Sequence, residues 1–291
     1  MLFVSIAFAS ANNLLLHGFR NRGLRGLGDI LLFNSLVSCI WIVILGTLHG
    51  FAGVSIGALI WGLCYGGVIA VFLLCKMQAM ATGPVSITSF VGCSSLLIAT
   101  AAGIVIFGET VTPIQIVGVI LLIAALFLTV SPKAEKSKPG WKIWCAFFFL
   151  CSGATGIIFK LHQASDSASE AGGMMLTAAI TSAILFAAAS VIVSKKQEHS
   201  MPRIPRGAIP YLIACGIVSC GYNRLNITLS GRLPSIVFFP VFNGSVILIA
   251  TLSAVFIFRE KLKKPQLAGL ILGTAALIMA AGVVDGLLAL I

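Results

Sequence analysis

Ten runs of mostly apolar residues, most of them close to the length that crosses a lipid bilayer, fill this chain almost end to end. A span needs about 20 such residues, and only helices or closed barrels satisfy their own backbone polar groups in hydrocarbon. The runs lack the strict alternation of barrel strands, so helices are expected. They cover residues 2–19, 29–48, 54–80, 84–107, 113–130, 141–160, 170–193, 207–230, 234–257 and 265–284. Of the 291 residues only 9% are charged, against about 25% in a water-soluble domain. That is too few to cover a soluble surface. The expected class is an all-α integral membrane protein with the lipid bilayer as its solvent and no soluble domain.

Local punctuation agrees with these limits. Gly83-Pro84 separates the third and fourth runs, and Thr112-Pro113 reads as N-cap and first residue of the fifth helix. Ser167 and Glu170 have capping-box spacing ahead of the seventh. The polar joint lies in mid-chain at residues 132–140. The chain opens on an apolar run without the positive stretch of a signal peptide, so a first span is expected there. The eight cysteines lie inside apolar runs without a CxxC pair and are read as small hydrophobes.

The joint divides a repeat. FGETVTPIQIVGVILLIAAL, from Phe107, and FREKLKKPQLAGLILGTAAL, from Phe258, share nine identities in twenty positions at an offset of 151. Apolar matches arise easily by chance, but the pairs Glu109/Glu260 and Gln115/Gln266 do not. Residues 1–131 and 141–291 are therefore two copies of a five-span unit. Because five is odd, the second copy enters the membrane from the opposite side. Inverted repeats of this kind recur in secondary transporters.

The basic residues test that topology. Connections after odd-numbered spans carry fifteen, from Arg20 to Lys264, and connections after even-numbered spans carry only Lys160 and Arg232. By the positive-inside rule the odd connections are cytoplasmic, so both termini face outward. The net charge of +11 is thus a topology signal. It forms no continuous basic surface, and a nucleic-acid partner is excluded. The compact chain is expected in a bacterial cytoplasmic membrane.

The duplicated FGE…Q..G..L...A segment resembles the drug/metabolite transporter superfamily and, within it, the EamA-type ten-helix carriers. LLCKMQAMATGPVSITSF, from the third run into the fourth, and LNITLSGRLPSIVFFPVF, from the eighth into the ninth, carry the same resemblance. It extends over essentially the whole chain and says little about substrate. It implies two inverted five-helix halves around a central cavity lined by spans 1, 3, 4, 6, 8 and 9.

Polar groups inside spans tend to face the bundle interior or water, and four sets stand out. Asn12 and Asn13 lie near the middle of the first span, where about 100° of helix rotation lets one of them line a cavity. Each is read as a substrate contact or an interhelical hydrogen bond. Lys76, with Gln78, lies roughly 8 Å from the cytoplasmic end of the third span; it snorkels to the interface, meets substrate or forms an ion pair. Tyr222, Asn223, Arg224 and Asn226 form the most polar stretch within any span. Asn223 and Asn226 share a face with Ser219, and cavity lining is expected. Arg224 either snorkels or pairs with an anionic substrate group. Asn243 sits between Pro240 and Gly244, where a proline frees backbone groups and either lines a cavity or makes a packing kink.

Other patterns weigh less. His162, Asp166 and Glu170 are spaced by four, but a capping role already uses Glu170. Glu109 and Glu260 are expected to stabilise helix starts through the macrodipole. His17 reads as a solvated helix-end histidine. All eight acids lie at span ends or in connections, whereas the intramembrane charges, Lys76 and Arg224, are positive. This disfavours organic cations. The expected substrate is a small neutral, zwitterionic or anionic metabolite, amino-acid-like solutes foremost, with or without a coupling ion. No cofactor is expected. No nucleotide-binding loop is present, so ATP hydrolysis is not expected. A membrane-embedded enzyme would need a nucleophile, base or metal constellation that the spans lack. The pattern is also compatible with a non-transporting subunit or sensor and with a passive channel.

Overall fold

A computed structural model of the protein describes residues 1–20, 26–49, 53–83, 88, 91–92, 94–129, 138–196, 202–256 and 264–282. Among them, ten α-helices follow one another: α1 (Leu2–Arg20), α2 (Leu27–His49), α3 (Ile56–Thr82), α4 (Leu96–Phe107), α5 (Pro113–Thr129), α6 (Trp141–Gln163), α7 (Ala171–Lys196), α8 (Ile209–Arg232), α9 (Ser235–Phe256) and α10 (Lys264–Ala280). Short 3-10 turns, Ala168–Glu170 and Arg206–Ala208, precede α7 and α8.

The helices fall in order on the ten apolar runs. Four stretches, Leu27–Leu48, Ile56–Thr82, Trp141–Gln163 and Ala168–Lys195, are long and apolar enough to cross a membrane. The apolar parts of α1, α4, α5, α9 and α10 are shorter, at 10–17 residues. For α4 the expected span began at 84, and residues 84–87, 89–90 and 93 lie outside the described set. α8 has the length, at 24 residues, but is the least apolar of the ten helices.

The duplicated motif explains itself in the first repeat. α4 ends at Gly108, whose φ of 62° suits a residue without a Cβ. The N–H groups of Gly108 and Glu109 turn back to the carbonyls of Ile104 and Gly103, at 3.2 Å each. α5 then starts with a reciprocal capping box. The Thr112 hydroxyl accepts from the Gln115 N–H at 3.2 Å, and the Gln115 side-chain oxygen accepts from the Thr112 N–H at 3.1 Å. The expected box at α7 does not form. A 3-10 turn intervenes, Ser167 makes no side-chain cap, and the Glu170 carboxylate accepts from the Ser55 N–H at 2.9 Å, just ahead of α3. Glu260 and the side chains of His17 and Gln266 lie outside the described residues.

Two compact units form, each drawing on both halves of the sequence. One comprises Met1–Val71 with Ile158–Thr228. In it α2 lies along α7, joined by serines. Ser35 donates to the Ala183 carbonyl at 2.9 Å, Ser190 donates to the Gly28 carbonyl at 2.6 Å, and Ser38 and Ser182 share a bond of 3.0 Å. The other comprises Phe72–Ile157 with Leu229–Ile291; in it α5 lies along α10 and α4 packs on α9. The second helix therefore pairs with the seventh, the fourth with the ninth and the fifth with the tenth.

The distribution of polarity inverts that of a water-soluble protein. The buried polar residues are mainly serines and threonines, with His162, Asn223 and Asn226; no Asp, Glu, Lys or Arg is buried among the described residues. All ten helices expose large apolar side chains, among them Phe3 (85% exposed) and Val105 (82%). Small hydroxyls inside and hydrocarbon outside is the arrangement that helices packed in lipid favour.

Candidate functional site

The polar stretch of α8 lies within the first unit, in a helix that admits Pro210 because its first turn has no intrahelical donor to lose. Ser219, Asn223 and Asn226 share a face, as their spacing predicts, and each engages a different helix. Ser219 Oγ accepts from the Trp41 indole of α2 at 2.8 Å. Asn223 Oδ1 accepts from the Tyr65 hydroxyl of α3 at 2.9 Å. Asn226 Oδ1 accepts from the Ser5 hydroxyl of α1 at 2.6 Å. Asn223 also donates from Nδ2 to the Ser219 carbonyl at 2.9 Å. Both asparagines are 7% exposed. The face is a buried seam joining α8 to α1, α2 and α3. Tyr65, 2% exposed, is held from the other side by Phe159 of α6, with ring centroids 4.6 Å apart.

The remaining polar residues of this unit are more open. Asn12 is half-buried, Asn13 exposed, Tyr222 half-buried and Arg224 exposed. Arg224 lies 100° of helix rotation from Asn223, which places it off the seam. It shares its side of α8 with the exposed Ile213 and Ile217. One turn on, the Thr228 hydroxyl donates to the Arg224 carbonyl at 3.2 Å.

In the second unit Lys76 is half-buried. Its ammonium lies 5.9 Å from the centroid of the Phe72 ring one turn earlier, a cation–π distance. Asn243 is half-buried, and its Nδ2 donates to the Phe239 carbonyl at 2.9 Å, one turn back and next to Pro240. Proline removes the N–H that would bond the carbonyl four residues earlier. The carbonyl left without that donor is that of Ile236, so the Asn243 side chain adds a separate local bond on the neighbouring turn and does not replace the lost one. Glu109, expected at the start of its own α5, instead caps α9. Its carboxylate accepts from the Ser235 N–H at 2.6 Å and from the Ser235 hydroxyl at 3.2 Å. Beside it, Gly103 leaves space that a Cβ would deny to the carboxylate.

The sequence reading missed the partners Ser5, Trp41 and Tyr65. The signal available was that a buried Tyr or Trp usually finds a polar partner, and the chain has only three tyrosines and four tryptophans. His162, fully buried with no partner for Nε2 among the described residues, stands near Gln163 and the turn before α7. Among the described residues no group of three or more His, Cys, Asp or Glu is disposed to hold a metal.

No family model and no curated protein matches the chain. Twenty-nine solved chains match it. One, a crystal structure of a protein, superposes over 98% of this chain and 95% of its own length with TM-score 0.71 at 16% identity. That likeness shows the fold and nothing of the activity.

Proposed function

We propose that the chain is a secondary transporter of the drug/metabolite transporter type, with ten membrane-spanning helices in two inverted five-helix repeats. It moves a small neutral, zwitterionic or anionic metabolite by alternating access, amino-acid-like solutes foremost. The observation that carries this reading is the pairing of equivalent helices, α2 with α7, α4 with α9 and α5 with α10. Two copies of one unit related by a pseudo-two-fold axis would pair in this way, and such repeats are a recurring plan of transporters.

The hydrogen bonds joining connections support the alternating topology. Asp29 Oδ1, beside the first connection, accepts from the Arg203 N–H in the seventh at 3.0 Å. Lys138 N–H, in the fifth, donates to the Thr82 carbonyl, beside the third, at 2.7 Å. Ser55 with Glu170 joins the second and sixth, and Glu109 with Ser235 the fourth and eighth. Odd connections meet odd and even meet even, as required when successive spans cross in opposite directions. The odd ones carry the basic residues, which favours a cytoplasmic location for them and an outward location for both termini. Within the first unit, Asn12, Asn13, Tyr222 and Arg224 are the polar groups best placed for a solute. Asn223 and Asn226 would join them if the seam opens during transport.

A thermal-shift screen of the detergent-purified protein tests the proposal. The panel holds amino acids, organic acids, nucleosides, sugars and organic cations, at two pH values. A ligand of the folded state stabilises it by mass action, by about 2.7 kcal/mol at 100 times its Kd, and so raises the melting temperature. The expected hit is neutral, zwitterionic or acidic, and that compound should then cross the membrane of proteoliposomes. Stabilisation by organic cations alone would refute the substrate class, and tight binding without flux would refute transport.

A further inference from the structure

We infer that Arg224 is a binding site for an oxyanion, a carboxylate or phosphate group that completes its charge within the apolar reach of α8. The inference rests on the membrane reading above and names the charge that its substrate site would use.

The argument is one of elimination among the polar groups of the stretch. Asn223 and Asn226 are buried and bonded to Tyr65 and Ser5. Of the two intramembrane cations, Lys76 is half-buried over Phe72. Arg224 differs from all three. It is exposed, and among the described residues its guanidinium has no hydrogen-bond or ion-pair partner. It stands eight residues before Arg232, about 12 Å of helix from that end, on a side otherwise occupied by Ile213 and Ile217. In a membrane-spanning α8 a guanidinium without a partner is expensive, and intramembrane arginines pair with another group or face water.

The five donors of arginine form a planar fork that matches a carboxylate or phosphate with two parallel bonds. A lysine or an amide at this position would lack that geometry. Two sources can supply the oxyanion: a solute entering from water, and the headgroup of an anionic lipid. Both offer the same oxygen atoms.

Thermal unfolding of the full chain and of Arg224→Lys and Arg224→Gln separates them at constant ionic strength. Because the guanidinium has no partner among the described residues, both variants should fold with melting temperatures near the parent's. The solute arm uses succinate, with tetramethylammonium as control, in uncharged detergent. The lipid arm uses phosphatidylcholine vesicles with and without phosphatidylglycerol. Charged hydrogen bonds are worth about 1.5–3 kcal/mol, so Arg224→Gln should bind the anion on the order of 10- to 100-fold more weakly, with Arg224→Lys between. A response to succinate lost in Arg224→Gln assigns the site to a solute. A response to phosphatidylglycerol alone, lost in the same variant, assigns it to lipid. Equal responses in parent and Arg224→Gln, or none to either anion, overturn the site. If a neutral solute still crosses proteoliposomes in that case, the transporter reading stands while the oxyanion site falls.

Discussion

Replacing Glu109 tests whether a repeated acid is structural. Its carboxylate holds the N–H and the hydroxyl of Ser235 at 2.6 and 3.2 Å, and the Ser235 side chain is buried. Loss of a helix N-cap costs about 0.5–2 kcal/mol. The charge at a helix N-terminus contributes about 0.3–1 kcal/mol, and the two overlap because the same bond carries both. Glu109→Ala should therefore lower stability by about 1–2 kcal/mol. Glu109→Gln keeps an acceptor and loses the charge, so it should cost about 0.3–1 kcal/mol. Ser235→Ala keeps the short backbone bond and loses only the longer one, with a cost of about 0.5–1 kcal/mol. The largest effect for Glu109→Ala, with Glu109→Gln and Ser235→Ala both smaller, is the signature, read from denaturant unfolding in one detergent. Glu109→Ala and Ser235→Ala should be non-additive, since each removes the same hydroxyl–carboxylate bond. The reasoning fails if Glu109→Gln is as stable as the parent yet abolishes flux, because a cap cannot produce that result.

Three further outcomes are expected. A compartment reporter placed in the polar joint at residues 132–140 should read cytoplasmic and one in 108–112 should read external; the same side for both would remove the alternating topology. Tyr65→Phe and Asn223→Ala should each cost about 0.5–1.5 kcal/mol, with a coupling of about 0.6 kcal/mol in the double variant, and a coupling of zero would mean that the 2.9 Å bond is not made. A Cβ on Gly118 would lie 2.6 Å from the Ala280 nitrogen and 3.0 Å from the Ala276 carbonyl, so Gly118→Ala should lose about 1–3 kcal/mol to overpacking against the roughly 1 kcal/mol that alanine gains in a helix. Net stabilisation in unfolding measurements would refute that close approach of α5 and α10.

Hydropathy located the ten helices because each run carries its own signal: length, apolar content and a turn at the end. Gly108 and Thr112-Pro113 were equally local, and the residues bonded at those caps lie within six positions of one another. The partners were not local. Asn223 and Asn226 are bonded to residues 158 and 221 positions away, and Glu109 to one 126 away. A polar face read on one helix does not say whether water or another helix meets it, since both satisfy the same amide. Helical spacing correctly grouped Ser219, Asn223 and Asn226, and it also set Arg224 apart from them. The occupant of the face came from single residues, Trp41, Tyr65 and Ser5, each on a different helix. The capping box at Ser167 failed for a related reason, because a 3-10 turn displaced Glu170 toward a chain segment remote in sequence.

The paired equivalents also differ in a way that bears on motion. α2 and α7 are joined by three serine hydrogen bonds, whereas α5 and α10 meet through Gly118 and the backbone of Ala276 and Ala280. In lipid no hydrophobic force draws helices together, so close packing and hydrogen bonds supply the association. A serine bond fixes the register of its pair, because displacement by one turn orphans a buried hydroxyl. A glycine contact instead depends on proximity, and separation by a few tenths of an ångström already sacrifices part of its dispersion energy. Both pairs therefore resist sliding and separation, through different terms. Pro240 interrupts the hydrogen-bond ladder of α9, and the Asn243 bond to the Phe239 carbonyl spans the same turn. The bond lost there is the one to the Ile236 carbonyl, and the Asn243 bond is an additional one on the Phe239 carbonyl, so α9 carries a gap in its backbone ladder that the side chain does not fill, and a proline gap of this kind is where a helix bends.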